Sequence, residues 1–240
     1  MKRFVLTAVV SLLLFCALIS PGVHAMNTGF QTEDISSKEL KGSFSILYLP
    51  KEPKRTAIEC FDVNEEGVIA LCTHEFRSEY TVRIYSRDGV FQYGLQFQSD
   101  GMIQVEWNDT DSLNLYYVRG NVILTVDSNG KIVEIRKVIN SIESSRYSRQ
   151  LESKERMIGD TTYSIQKNMG PLNFSIIFPS YTQLIVRDAS GEERVLYDVR
   201  TQQIMKILLI RAAIGLFVYF CLKQSNVDGL IATLREKSKA

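Results

Sequence analysis

The sequence predicts an all-β ectodomain held between two hydrophobic ends. Three observations carry that expectation: apolar runs at both termini, an uneven division of charge, and an interval of short β-branched and aromatic runs separated by turn residues. The 240 residues carry 28 Lys+Arg against 27 Asp+Glu, a formal charge of +1. That near-neutrality is a cancellation, because residues 26–200 hold 20 basic and 25 acidic side chains, a net of −5, and the ends carry +6. An acidic body between basic, apolar ends suits a membrane protein. It is ill suited to a phosphate backbone, so no nucleic-acid partner is expected.

Residues 1–25 open with Lys2 and Arg3, continue through an uncharged run over 4–19, break at Pro21-Gly22 and end in Val23-His24-Ala25. This is the pattern of an export signal helix cleaved after Ala25; the alternative is an uncleaved N-terminal anchor. Residues 26–42 read as a linker.

The second apolar run, 204–222, has 19 residues, enough for a helix of about 28 Å that crosses a bilayer. Its eleven Leu, Ile, Val and Phe residues favour insertion by roughly 3–7 kcal/mol, and a central cation costs about 2.5–3.5 kcal/mol. Lys206 and Arg211 are off-centre and can reach back toward the interface. Arg211 is also the residue expected to engage a partner, an acidic group on another membrane protein, with Lys206 beside it; plain snorkelling in the lipid bilayer is the alternative. Lys223, Arg235, Lys237 and Lys239 make the tail 223–240 basic. The positive-inside rule therefore puts the tail in the cytoplasm and the β domain, 43–200, outside the cell membrane.

Within that domain turns fall at Glu66-Gly67, Asp88-Gly89, Asp109 to Asp111, Asn129-Gly130, Gly170-Pro171 and Ser190-Gly191. Strands are expected at 43–49, 56–62, 68–73, 80–86, 90–97, 103–108, 112–118, 122–127, 131–137, 161–166, 172–178, 182–187 and 193–198. The charged insertion 141–160 reads as a short helix or a loop, and a loop with a helical turn is the favoured expectation. A longer repeat is also present: RIYSRDGVF around Gly89 recurs as LTVDSNGKIV around Gly130 and as IVRDASGEER around Gly191. A period near 40 residues with four strands per unit is the mark of a β-propeller blade.

On those repeats the chain resembles WD40-type propeller blades, and exported, membrane-anchored propeller-like proteins of Gram-positive bacteria. It lacks the Trp-Asp dipeptide and the Gly-His signature of the WD40 pattern. The resemblance implies antiparallel four-stranded blades used as a binding scaffold, with no site or activity attached. Three units cannot close a ring that ordinarily takes about 4–8 blades, so an incomplete ring or curved meander is expected.

Candidate chemistry is sparse. Once Cys16 and Cys221 are assigned to the apolar ends, Cys60 and Cys72 remain. They flank Glu65-Glu66-Gly67, which suits a three-residue hairpin loop with Gly67 left-handed. Residue 64 then faces 68 and Cys60 faces Cys72, close enough for a disulfide; two reduced thiols are the alternative. The body has one histidine, His74, without metal-spaced partners, and no GxGxxG, GxxxxGK[ST] or GxSxG motif. No catalytic residue, metal or cofactor is implied. Glu106, Asn108, Asp109 and Asp111 read as a polar hairpin turn. Adjacent Tyr116 and Tyr117 must point to opposite faces of one sheet, so one of them is expected in solvent as a contact for an envelope glycan or peptide. The expected function is a non-catalytic, membrane-anchored binding, sensing or scaffold module, such as a subunit of a membrane complex. The alternative is an envelope enzyme, such as a glycan hydrolase using paired carboxylates.

Overall fold

The structure is a computed structural model that describes residues 26–35, 44–75, 78–170 and 181–237. The expected signal helix and the expected strand at 172–178 lie outside the described residues. The chain forms β1 (Thr32–Asp34), β2 (Leu47–Leu49), β3 (Ile58–Val63), β4 (Ile69–Glu75), β5 (Glu79–Tyr85), β6 (Phe91–Gln98), β7 (Ile103–Trp107), β8 (Ser112–Tyr117), β9 (Val122–Asp127) and β10 (Ile132–Val138). Helix α1 (Ile142–Leu151) follows, then β11 (Glu155–Ile158), β12 (Thr161–Gln166), β13 (Gln183–Arg187), β14 (Glu193–Asp198) and helix α2 (Arg200–Lys237).

Three antiparallel sheets result, each a sequential meander. Sheet I is β3 to β6 with β2 added beyond β6, sheet II is β7 to β10 with β1 added beyond β10, and sheet III is β11 to β14. Sheet I lies in the middle. Ala70, Cys72, Val82, Ile84 and Leu95 face Val105, Leu115, Leu124 and Val126 of sheet II. The alternate side chains Phe61, Val63, Ile69, Leu71 and Tyr85 face Tyr163, Leu184, Val186 and Tyr197 of sheet III. Burial on both faces explains why β4 and β5 read as nearly continuous apolar and Thr runs rather than as an alternation.

Two expectations are corrected. The insertion 141–160 contains a ten-residue helix rather than one turn in a loop. Ser141 caps it by accepting the Ser144 N–H over 3.1 Å, and Glu143 stands in its first turn. Its Leu151 and Tyr147 cover the outer face of sheet II. Residues 26–42 are not merely a linker: β1 pairs with β10 in the register Thr32 to Val138, and Phe30 is buried beneath α1. Both elements owe their formation to a surface that only the folded sheet supplies.

Helix α2 begins two residues after β14. The stretch Arg200–Cys221 is long and apolar enough to cross a membrane, and its window of apolar residues is 6% buried. The helix continues without a break through the expected boundary at residue 222 as far as Lys237.

Candidate functional site

Meander topology gathers the tight turns. Within sheet I the β3–β4 and β5–β6 hairpins share one end, and the same holds for β7–β8 with β9–β10 and for β11–β12 with β13–β14. The three ends coincide. Asp62 and Trp107 meet near the forward ends of β3 and β7, and the turns of sheets I and III line one cleft. Helix α2 leaves from the opposite end of β14. The hairpin tips are thus the face farthest along the strands from α2.

Four of these hairpins are built alike. Asn64, Ser86, Asp127 and Asp188 each donate their backbone N–H to the carbonyl four residues on, at 3.0, 2.8, 3.0 and 3.2 Å. In return their side-chain oxygens accept the N–H of that residue, at 2.8 Å for Asn64, 3.2 Å for Ser86, 2.9 Å for Asp127 and 3.1 Å for Asp188. The fourth position is Gly67, Gly89, Gly130 or Gly191, all at φ of +82° to +83°. A short side-chain acceptor first and a left-handed glycine fourth satisfy this loop without strain. The sequence repeats around Gly89, Gly130 and Gly191 are therefore repeats of one hairpin.

Between sheets I and III the tips open a cleft of about 460 Å³ lined by Glu65, Glu66, Arg87, Asp160, Tyr163 and Asp188. The Ser190 hydroxyl and the N–H groups of Glu192, Ser190 and Gly191 hold the Asp188 carboxyl below its usual range. Asp109 is also held low: burial opposes ionisation, but the Asp111 and Ser112 N–H groups and the Ser112 and Asn108 side chains outweigh it. Across the six described tips, Glu65, Glu66, Asp88, Asp109, Asp111, Asp127, Asp160, Asp188 and Glu192 stand against only Arg87 and Lys131. This end of the molecule presents a negative field that attracts cations and basic segments.

No known protein family, curated protein or solved structure matches this chain. The reading of the site therefore rests on its own residues.

Cys60 and Cys72 are Cα partners across β3 and β4, in the register the loop predicts, and both are free thiols here. The Cys60 Sγ lies 3.4 Å from the Ile103 carbonyl. Hydrogen bonding with Cys60 and complete burial push the Cys72 thiol well above its usual range. Tyr116 and Tyr117 point to opposite faces, as adjacent strand residues must, but neither is an exposed contact: they are 6% and 8% exposed. Tyr116 lies under Phe30, with ring centroids 4.4 Å apart, and Tyr117 packs on Phe44 and Phe97 between sheets I and II. The expected solvent face is occupied by residues 26–30 and α1. Lys206 and Arg211 are exposed along α2. His74 stacks on Tyr80 at 4.6 Å. Among the described residues no group of three or more His, Cys, Asp and Glu side chains is placed to hold a metal.

Glu106 is not a turn residue. It is buried on the outer face of sheet II, accepting from Tyr147 Oη at 2.6 Å and Asn114 Nδ2 at 3.1 Å. Burial raises its carboxyl above the usual range, against the hydrogen bonds from Thr28, Tyr147 and Asn114. Reading from sequence also misses Arg83, which is fully buried within β5. Its Nη2 donates to the Lys54 carbonyl over 2.8 Å and its Nη1 to the Thr73 hydroxyl. A charged residue at an otherwise apolar strand position is the one signal that marks it.

Proposed function

We propose that the protein is a single-span, membrane-anchored module that holds a β domain outside the cell membrane and presents its hairpin tips to a partner. The observation that carries this reading is the junction of β14 with α2: a domain with two buried inter-sheet cores runs directly into a helix whose apolar side chains, from Leu208 to Phe220, have no protein cover. The flanking charges support an outside β domain and a cytoplasmic tail. The three meanders are read as propeller-type blades. Supporting this, the first strands β7 and β11 of two meanders each adjoin β3, the first strand of the third, and the turns gather at one end, where propellers carry their binding loops.

The acidic tips favour a cationic partner, such as a basic peptide segment or a basic protein surface. They support binding over hydrolysis, because the buried carboxyl held above its usual range, Glu106, is sealed beneath α1 and not in the cleft. Arg211 is read as the contact to a second membrane protein.

Cross-linking in native membranes, followed by identification of the bound proteins, tests the reading in the wild type and in two variants. Arg211→Leu is expected to release the intramembrane partner. Replacement of Glu65, Glu66 and Asp160 by Gln or Asn is expected to release the extracytoplasmic one. Identical complexes from all three proteins would refute both contacts. Recovery of the chain in the soluble fraction would refute the anchor.

A further inference from the structure

The first described residue, Met26, sits at a built position. Its backbone N donates to Glu134 Oε2 over 3.2 Å, and the other oxygen of that carboxylate accepts Arg136 Nε over 2.6 Å. The next residue is fixed from three directions. The Asn27 N–H donates to Asn108 Oδ1 over 2.6 Å, its Nδ2 donates to the Asn108 carbonyl over 3.4 Å, and its carbonyl accepts Asn114 Nδ2 over 2.9 Å. Residues 26–30 therefore cross the outer face of sheet II in one fixed register, ending with Phe30 over Tyr116.

We propose that the chain is processed between Ala25 and Met26, and that the α-amino group so released serves as a structural cation for Glu134. Water adds across the Ala25–Met26 peptide bond, leaving a carboxylate on Ala25 and an amine on Met26. At neutral pH that amine takes up a proton. One N–H facing Glu134 then becomes an ammonium, and a neutral hydrogen bond becomes a charge-assisted one.

Distance supports processing over a retained anchor. Asn108 and Glu134 lie at the hairpin-tip end of sheet II, whereas α2 leaves from the opposite end of sheet III. The six residues of β14 span about 20 Å. Helix α2 adds more than one further turn before it clears the protein, since Gln203 and Ile207 are buried. An apolar run ending at residue 19 leaves only residues 20–25 to return from Met26 to the same membrane, about 20 Å at full extension. That tether is too short to reach around the domain. This distance argument rests on α2 being the membrane anchor; the contact with Glu134 does not.

The test is made on full-length protein purified from membranes of an exporting host. Intact mass and N-terminal labelling are expected to give Met26 as the first residue, and Met1 at the terminus would overturn the proposal. If Met1 is retained on a membrane-bound chain, processing fails while the anchor stands; if Met26 is found on a soluble chain, the anchor fails while processing stands. The role of the amine is read separately, by acylation of the α-amine at neutral pH. Glu134→Gln, which keeps the acceptor and loses the charge, is expected to raise the labelling rate at Met26 several-fold. Equal rates in wild type and variant would overturn the structural role.

Discussion

Arg156 of β11 donates through Nε to Asp62 Oδ1 of β3 over 2.8 Å, and the other oxygen of that carboxylate accepts the Trp107 N–H of β7 over 2.8 Å. A single side chain thus ties the first strands of all three sheets. Arg156 also donates through Nη2 to the Leu151 carbonyl at the end of α1 over 2.9 Å, and its guanidinium lies 5.4 Å from the Phe61 ring centroid.

Arg156→Met is therefore expected to destabilise the fold by about 2–3 kcal/mol, because it strands a largely buried carboxylate. Urea unfolding followed by the fluorescence of Trp107 measures it. The double variant Asp62→Leu with Arg156→Met is expected to recover part of the loss, since no charge then remains unpaired. An unchanged midpoint in the single variant would show that the junction contributes nothing.

The hairpin glycines differ in what surrounds them. A Cβ at Gly67 meets the Tyr163 hydroxyl at 2.9 Å and Arg87 Cγ at 3.0 Å, whereas nothing lies within 4 Å of one at Gly191. Both positions have φ near +82°, so Gly191→Ala is expected to lose about 1–2 kcal/mol from backbone strain alone. Gly67→Ala is expected to lose more. Equal losses in thermal unfolding would mean that Tyr163 and Arg87 yield freely.

Glu106 predicts a pH dependence of unusual sign for a carboxylate. Its folded pKa lies above the ordinary value of 4.5, so the native state binds more protons than the unfolded chain between those values. The stability this group contributes is complete below 4.5 and is lost as pH rises through the raised folded value. Asp109 and Asp188 run the other way: their contribution is present above 3.8 and falls away as pH drops through their lowered values. Glu106→Gln is expected to flatten the melting temperature across mildly acidic pH. A slope identical to wild type would assign that pH dependence elsewhere.

For the facing cysteines, the raised pKa and full burial of Cys72 predict a thiol inert to alkylation in the folded protein. Treating the folded protein with diamide is expected to close the Cys60–Cys72 pair and lower the mass by about two hydrogens. A full count of free thiols after treatment would exclude the bridge.

Strand positions were legible because their causes are local. The hairpin at Gly67 is specified by Asn64 and the glycine together, and its register follows by counting, which is how Cys60 comes to face Cys72. The same holds at Gly89, Gly130 and Gly191. Elements stabilised by distant surfaces were not legible. β1 exists because β10 offers an open edge, and α1 docks Tyr147 and Leu151 on a sheet formed by residues some thirty positions earlier. That covering also hides Tyr116, which no spacing in the sequence could reveal. Glu106 misleads for a related reason: three neighbouring polar residues suggest a turn, yet the strand alternation points its side chain beneath α1.

Each meander, β3 to β6, β7 to β10 and β11 to β14, has four strands, an even number, so the chain leaves every meander at the end where it entered. Parity places the β6-to-β7 and β10-to-β11 crossings and the exit into α2 on one side, and puts the hairpin turns on the other. Length changes at the tips therefore act first on the neighbouring tips they touch, as Gly67 touches Tyr163 and Gly89 touches Leu196, while the strand end from which α2 departs lies at the other extreme of β14.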